Sequence, residues 1–326
     1  MRKTFLFVFV FVLLFATAAS PLSQGIKVFF EPKLKKLDNT PRLLIISAFQ
    51  PELELLLQET QIKRQYVVNG HTITLGTTRG VDTALTLSGV SVTNAAANTQ
   101  QAFDLFNIQY AVFSGIAGGV NPELNIGDVV IPLQWAEYLE MHAARDLGDG
   151  TYQHDSDLPN FGMLFPRTVC VTQKGGTPDV CTNMRWFPVD AEMYSVATSL
   201  AASIELESCG LDRDGNEVCL SHPPKIVTGG SGVSGPWFVD NAEFRDYTFQ
   251  AFSELGPVSS LDMESAQFQH VCYMNAMPCL VFRSLSDLAG GGPGENEIGT
   301  FFRIAANNSA RVLLGFLEDW GQTGKR

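Results

Sequence analysis

Three carboxylates stand where apolar runs of this chain end in turns: Glu52, Glu264 and Asp287. A pair of acids held at one site can divide the labour of bond cleavage. A buried, protonated one gives a proton to a leaving group, and an ionised one activates water or steadies positive charge. Such a division needs the acids on separate elements that converge. The competing reading is that Glu264 only caps a helix and Asp287 only caps the turn after it.

The elements around them read as α/β. Val258 to Leu261 is a short apolar strand, Glu264 opens a helix running to about Asn275, and Cys279 to Leu285 is a second strand, apolar except for Arg283 and Ser284. A strand, helix, strand unit of this length reads as a right-handed parallel crossover, which would bring residues 262–264 and 286–287 to one carboxyl edge of a sheet. Upstream, Leu43 to Phe49 is a strand and Pro51 starts a helix over 52–60, so Glu52 falls on a strand-to-helix turn at the same edge.

Asn69-Gly70 between two alternating runs is a hairpin signal. Residues 83–87, 110–113 and 129–132 read as strands, and 93–106 as a helix. SGIAGG at 114–119 reads as a glycine-rich turn that lets backbone approach a ligand, with Ser114 and Gly115 as contacts. Its spacing is not that of a dinucleotide or Walker loop. Further helices are expected over 190–207, within 236–252 after the aromatics Trp237 and Phe238, and over 299–319. The last contains the Asn307 sequon, which a helix would disfavour as a glycosylation site.

Composition narrows the partners. Twenty-two Lys and Arg against 34 Asp and Glu leave a net charge of −12, which gives phosphate backbones no electrostatic footprint. Nucleic acid is therefore not expected. Residues 1–19 have the basic start, apolar run and small-residue end of a secretory signal peptide, with no later membrane span, and 20–40 an extended lead-in. Secretion or vacuolar delivery follows as the expected localisation. Of six cysteines, Cys170 with Cys181 and Cys209 with Cys219 bracket short loops and suit local disulfides. Cys272 and Cys279 are expected to stay buried thiols. Scattered histidines and the lack of a CxxC pair point to no metal and no cofactor.

The turns at 114–119 and 126–132, with LDMES at 261 and RSLSDLAGG at 283, resemble the nucleoside phosphorylase and nucleosidase superfamily. They occur in that family's order across about residues 42–320. SAFQPELELL at 47–56 is similar to the opening of methylthioadenosine/adenosylhomocysteine nucleosidases. The leader, FVDNAEF at 238 and SDLAGGG at 286 resemble the plant bark and vegetative storage protein branch.

The resemblance implies a single-domain three-layer α/β/α sandwich over 41–322, built on a twisted mixed sheet, with a cysteine-bearing elaboration at about 136–222. It implies Asp287 as the acid that protonates a purine and Glu264 as the ligand of the ribose hydroxyls, with Met263 beside the sugar. Glu52 would activate water, Phe238 would stack on the base, Val239 would meet its edge, and Ser286 and Phe49 would line the pocket. Phe49 stands where these nucleosidases usually have Met. Bacterial hexameric phosphorylases carry phosphate-binding arginines at the positions of Glu52 and Phe113, so hydrolysis is the expected reaction. Phosphorolysis, with phosphate as co-substrate, and a non-catalytic storage or nucleoside-binding protein are the alternatives. The partner implied is a purine nucleoside and the assembly a homo-oligomer, with a dimer favoured; the expected secretion extends the substrates to extracellular purine nucleosides, cytokinin ribosides among them.

Overall fold

In a computed structural model describing residues 35–154, 157–200 and 203–324, the chain builds a central sheet of twelve strands. β1 (Asp38–Ser47) leads into α1 (Gln50–Gln58), and β2 (Thr60–Val68), β3 (His71–Thr78) and β4 (Val81–Leu87) form a meander. α2 (Val92–Leu105) then precedes the long β5 (Phe106–Gly119). β6 (Val129–Ile131), β7 (Gln134–Glu137) and β8 (Trp186–Pro188) follow, then α3 (Ala191–Ser199), β9 (Ile226–Thr228), β10 (Ser231–Ser234) and α4 (Ala242–Ala251). β11 (Val258–Asp262), α5 (Ser265–Met274), β12 (Cys279–Asp287) and α6 (Ile298–Gln322) complete it. The sheet runs β8-β7-β10-β11-β5-β1-β4-β3-β2, with β12 joined to β5 and β6, and β6 to β9.

Alternation along β1 explains the layers. Leu43 and Ile45 face a core shared with α1, α3 and α6, and Leu44 and Ile46 one shared with α2 and α5. Helices thus cover both faces of a sheet mixing parallel and antiparallel pairs, the sandwich that was expected. Asn69 and Gly70 take φ of 49° and 82°, the two positive values that a tight hairpin turn demands.

The structure corrects several expectations. SGIAGG is no turn: it continues β5, pairing through Gly118 with Asp287 and through Gly119 with Ser260. Its glycines serve close side-chain approach across a flat strand. β11 and β12 do not form a parallel crossover, because β5 lies between them, antiparallel to β11 and parallel to β12. α3 stops at Ser199, short of the expected 207, though Asp190 caps its start by accepting from Met193 N at 2.9 Å. The expected leader at 1–19 and most of the expected lead-in lie outside the described residues.

The elaborated region supplies β8 and part of β7 to the sheet, carries α3, and otherwise forms short antiparallel strand pairs. Cys170–Cys181 and Cys209–Cys219 are the local disulfides expected. Cys272 and Cys279 are also joined, correcting the expected free thiols. A helix end and the strand start seven residues on place their Cα atoms 6.2 Å apart, within bridging range. Asn307 lies within α6, and its Nδ2 donates to Glu207 Oε2 at 2.9 Å.

Candidate active site

A cavity of about 250 Å³ opens where β5, β11 and β12 meet the N-terminal ends of α1 and α6. Glu52, Glu264 and Asp287 all line it, with Asp262, Met263 and Ser286. Phe49, Val90, Ile116, Val239, Leu261 and Ile298 make much of the remaining wall apolar, and Trp237 and Phe238, both about half exposed, stand at its mouth.

Glu52 sits in the first turn of α1, behind Pro51, and is 2% exposed. Its Oε2 accepts from Ala48 N at 2.6 Å and Phe49 N at 3.3 Å, and its Oε1 accepts from Ile116 N at 2.8 Å. It therefore ties the helix start to β5 as well as facing the cavity. Burial outweighs the nearby Arg283 charge and pushes its carboxyl up to about 7.

Glu264 stands at the N-cap position of α5, but its side chain makes no capping bond. That role falls to Asp262, whose Oδ1 accepts from Glu264 N and Ser265 N at 3.0 Å each. The Glu264 side chain is free to turn inward, where Oε1 accepts from Ser91 N at 2.8 Å and Oε2 from Arg283 Nη2 at 3.2 Å. Ser91 holds φ 83° and ψ 160°, a region L-residues rarely adopt, to present that N–H. Burial raises the Glu264 carboxyl above the ordinary range despite Arg283.

Asp287 ends β12. Its Oδ1 accepts from Ala289 N at 2.9 Å, so it caps a turn, and Oδ2 accepts from Ser286 Oγ at 2.8 Å. At 3% exposure, desolvation raises its carboxyl against these donors. Gly118 faces it, and a Cβ there would stand 3.0 Å from Oδ1.

Ser114 and Gly115 are the expected contacts that the structure places behind the cavity wall. Since the segment is a strand, Ser114 points to α6, with Oγ 2.8 Å from Ser309 Oγ. Gly115 faces the other way, where a Cβ would lie 2.4 Å from both Arg283 Nη1 and Glu52 Oε1. It is a spacer for those side chains.

Arg283 is the residue the sequence reading passed over. Fully buried on β12, it sends Nε to Asp262 Oδ2 at 2.8 Å and Nη2 to Glu264, holds Nη1 3.7 Å from Glu52 Oε1, and stacks over Phe113 at 4.4 Å. Its signal was a lone cation in an apolar strand, which must find acids in the core. Trp237, Ile116 and Ile298 were also missed, being apolar residues with no spacing to mark them. No cluster of three metal-ligating side chains occurs among the described residues.

The sequence profile of the phosphorylase superfamily matches residues 42–318. The chain belongs to the phosphorylase superfamily. Among similar superfamily members, the 5'-methylthioadenosine/S-adenosylhomocysteine nucleosidase of Geobacillus thermodenitrificans is 26% identical over 275 residues, covering 84% of this chain and 94% of that protein. The Neisseria meningitidis enzyme of the same name, solved with methylthio-immucillin-A, superposes with a TM-score of 0.61 at 22% identity, covering 85% of this chain and 99% of its own. Futalosine hydrolase of Helicobacter pylori gives 0.60 at 19%, covering 86% and 98%. At these identities the two solved structures establish a shared fold.

Proposed function

We propose that the protein is a purine nucleosidase, hydrolysing the N-glycosidic bond of a purine nucleoside to free base and ribose. The observation that carries this reading is the convergence of Glu52, Glu264 and Asp287, from three different elements, on one cavity. The nucleosidase and futalosine hydrolase relatives support it.

Cleavage leaves positive charge on the sugar and negative charge on the base. Asp287, its carboxyl raised by burial, gives its proton to the base at N7. Glu264 accepts hydrogen bonds from the ribose 2′- and 3′-hydroxyls, and its negative charge favours the cationic sugar. Glu52 takes a proton from the water that attacks C1′. Phe238 stacks on the base, Val239 meets its edge, Met263 packs on the sugar, and Phe49 closes the wall.

Water is the nucleophile on electrostatic grounds. Every nitrogen of Arg283 is already engaged, by Ser265 and Asp262, by Ile116 O, and by Glu264. No free cation faces the cavity among its lining residues, and Glu52 would repel phosphate.

The leader at 1–19 and three disulfides are in keeping with a secreted or vacuolar enzyme, and hence with extracellular purine nucleosides, cytokinin ribosides included. The test is the sugar formed in phosphate buffer. Free ribose is expected, and ribose 1-phosphate would overturn the hydrolytic reading.

A further inference from the structure

The loop from Leu288 to Glu297 joins two residues that line the cavity, Asp287 and Ile298. Gly290, at φ 84°, presses onto the segment at Asp240 and Asn241 so closely that a Cβ would stand 2.3 Å from Asn241 N. Asn241 N also donates to Ala289 O at 3.2 Å. The loop is thereby docked on the segment 237–241, which carries Trp237 and Phe238.

Asn296 joins the parts. Its Nδ2 donates to Asp240 Oδ1 at 3.0 Å and reaches Asp287 Oδ1 at 3.5 Å, the long end of hydrogen bonding. Its Oδ1 accepts from Ile298 N at 3.0 Å, in the first turn of α6, and Ile298 lines the cavity. One carboxamide thus touches the aromatic segment, the proton-donating acid and the helix end.

We propose that Asn296 is a positioning residue that couples closure of the aromatic segment over the base to the protonation of Asp287. This rests on Asp287 being the proton donor. The physical reason is charge. Asp240 and Glu297 both face this corner, and Glu297 opposes ionisation of Asp287. Two carboxylates drawn together repel unless a donor lies between them, and Asn296 offers one N–H to each. While Asp287 is ionised the tie is complete and the loops are held. Once Asp287 is protonated, Asn296 keeps its bonds to Asp240 and Ile298, so the aromatic segment stays held while the acid addresses the base.

The test is the titration of Asp287, followed by carboxyl carbon NMR in the ligand-free protein, for wild type, Asn296→Ala and Asn296→Asp. Asn296→Ala is expected to raise the midpoint by about half a unit, the weak end of an ordinary hydrogen bond, in keeping with the 3.5 Å contact. Asn296→Asp, a further carboxylate of the same shape, is expected to raise it more. The alkaline limb of kcat/KM for base release should move with it, and KM should rise about tenfold as the aromatic segment loosens. A residue of purely structural role would lower melting temperature and leave the midpoint in place. Unchanged midpoints in both folded variants overturn the proposal, and if Asn296→Ala does not fold, the midpoint of Asn296→Asp decides alone. A shifted midpoint in a protein that releases no base would leave the coupling standing and sink the nucleosidase reading instead.

Discussion

Arg283 Nη2 lies 3.2 Å from Glu264 Oε2 with the two side chains only 0% and 5% exposed, so the proposed sugar-binding acid is held by a cation sealed from solvent. Asp262 and Glu52 share that cation. Replacing it leaves three buried acids with no counter-charge. Arg283→Met is expected to destabilise the fold by about 3–5 kcal/mol, the cost of breaking a buried ion pair from one side. Denaturant unfolding checks this, and a loss below about 1 kcal/mol would mean that the acids are neutral without it.

Gly115 keeps Glu52 and Arg283 within reach of each other. Gly115→Ala puts a methyl 2.4 Å from both. Overpacking of this kind costs about 1–3 kcal/mol, and since the displaced groups are the proposed base and its neighbour, kcat should fall more than KM changes. Steady-state kinetics with a melting curve separate the two effects. Wild-type kcat would show that the pair tolerates displacement.

Glu52, with its carboxyl pushed up to about 7, must be ionised to act as a base. kcat/KM should therefore fall as pH drops through about 7, and ionisation of Asp287, whose carboxyl burial raises, should set the alkaline limb. Glu52→Gln should lower kcat by about 10²–10⁴-fold and abolish the acid limb. A pH profile with the same limb in the variant would assign it to another group.

The same shifts govern stability. Glu52, Glu264, Asp287 and Asp128 all have folded-state values raised by burial. The native protein thus holds protons that the unfolded chain has released, so stability is fullest below the unfolded values and is lost as pH rises through the folded ones. For Glu52 alone, moving from 4.5 to about 7 corresponds to a loss on the order of 3 kcal/mol. Melting temperature should fall between pH 5 and pH 8. A rise over that range would contradict the assignment.

How far the sequence alone led differs by element. The Asn69-Gly70 hairpin and the β1 to α1 turn at Pro51 were readable because local backbone chemistry decides them. SGIAGG misled because glycine permits both a turn and a strand pressed against long side chains, and only the tertiary neighbours, Glu52, Arg283 and Asp287, distinguish the two. The β11–α5–β12 unit converged as expected but through a different topology, since β5 is long enough to take β11 at its end and β12 along its middle. Arg283 and the Cys272–Cys279 bridge were both visible as residue types. Their partners are set by packing, which no spacing rule reports.

The central claim is tested most directly by base release from adenosine, inosine, methylthioadenosine and isopentenyladenosine by the purified protein, with and without phosphate, beside Asp287→Asn. Release without phosphate that disappears in a folded Asp287→Asn variant is the predicted result. Release only with phosphate, equal release by the variant, or none from any purine nucleoside would contradict it, the last turning the cavity into a binding site or the relic of one.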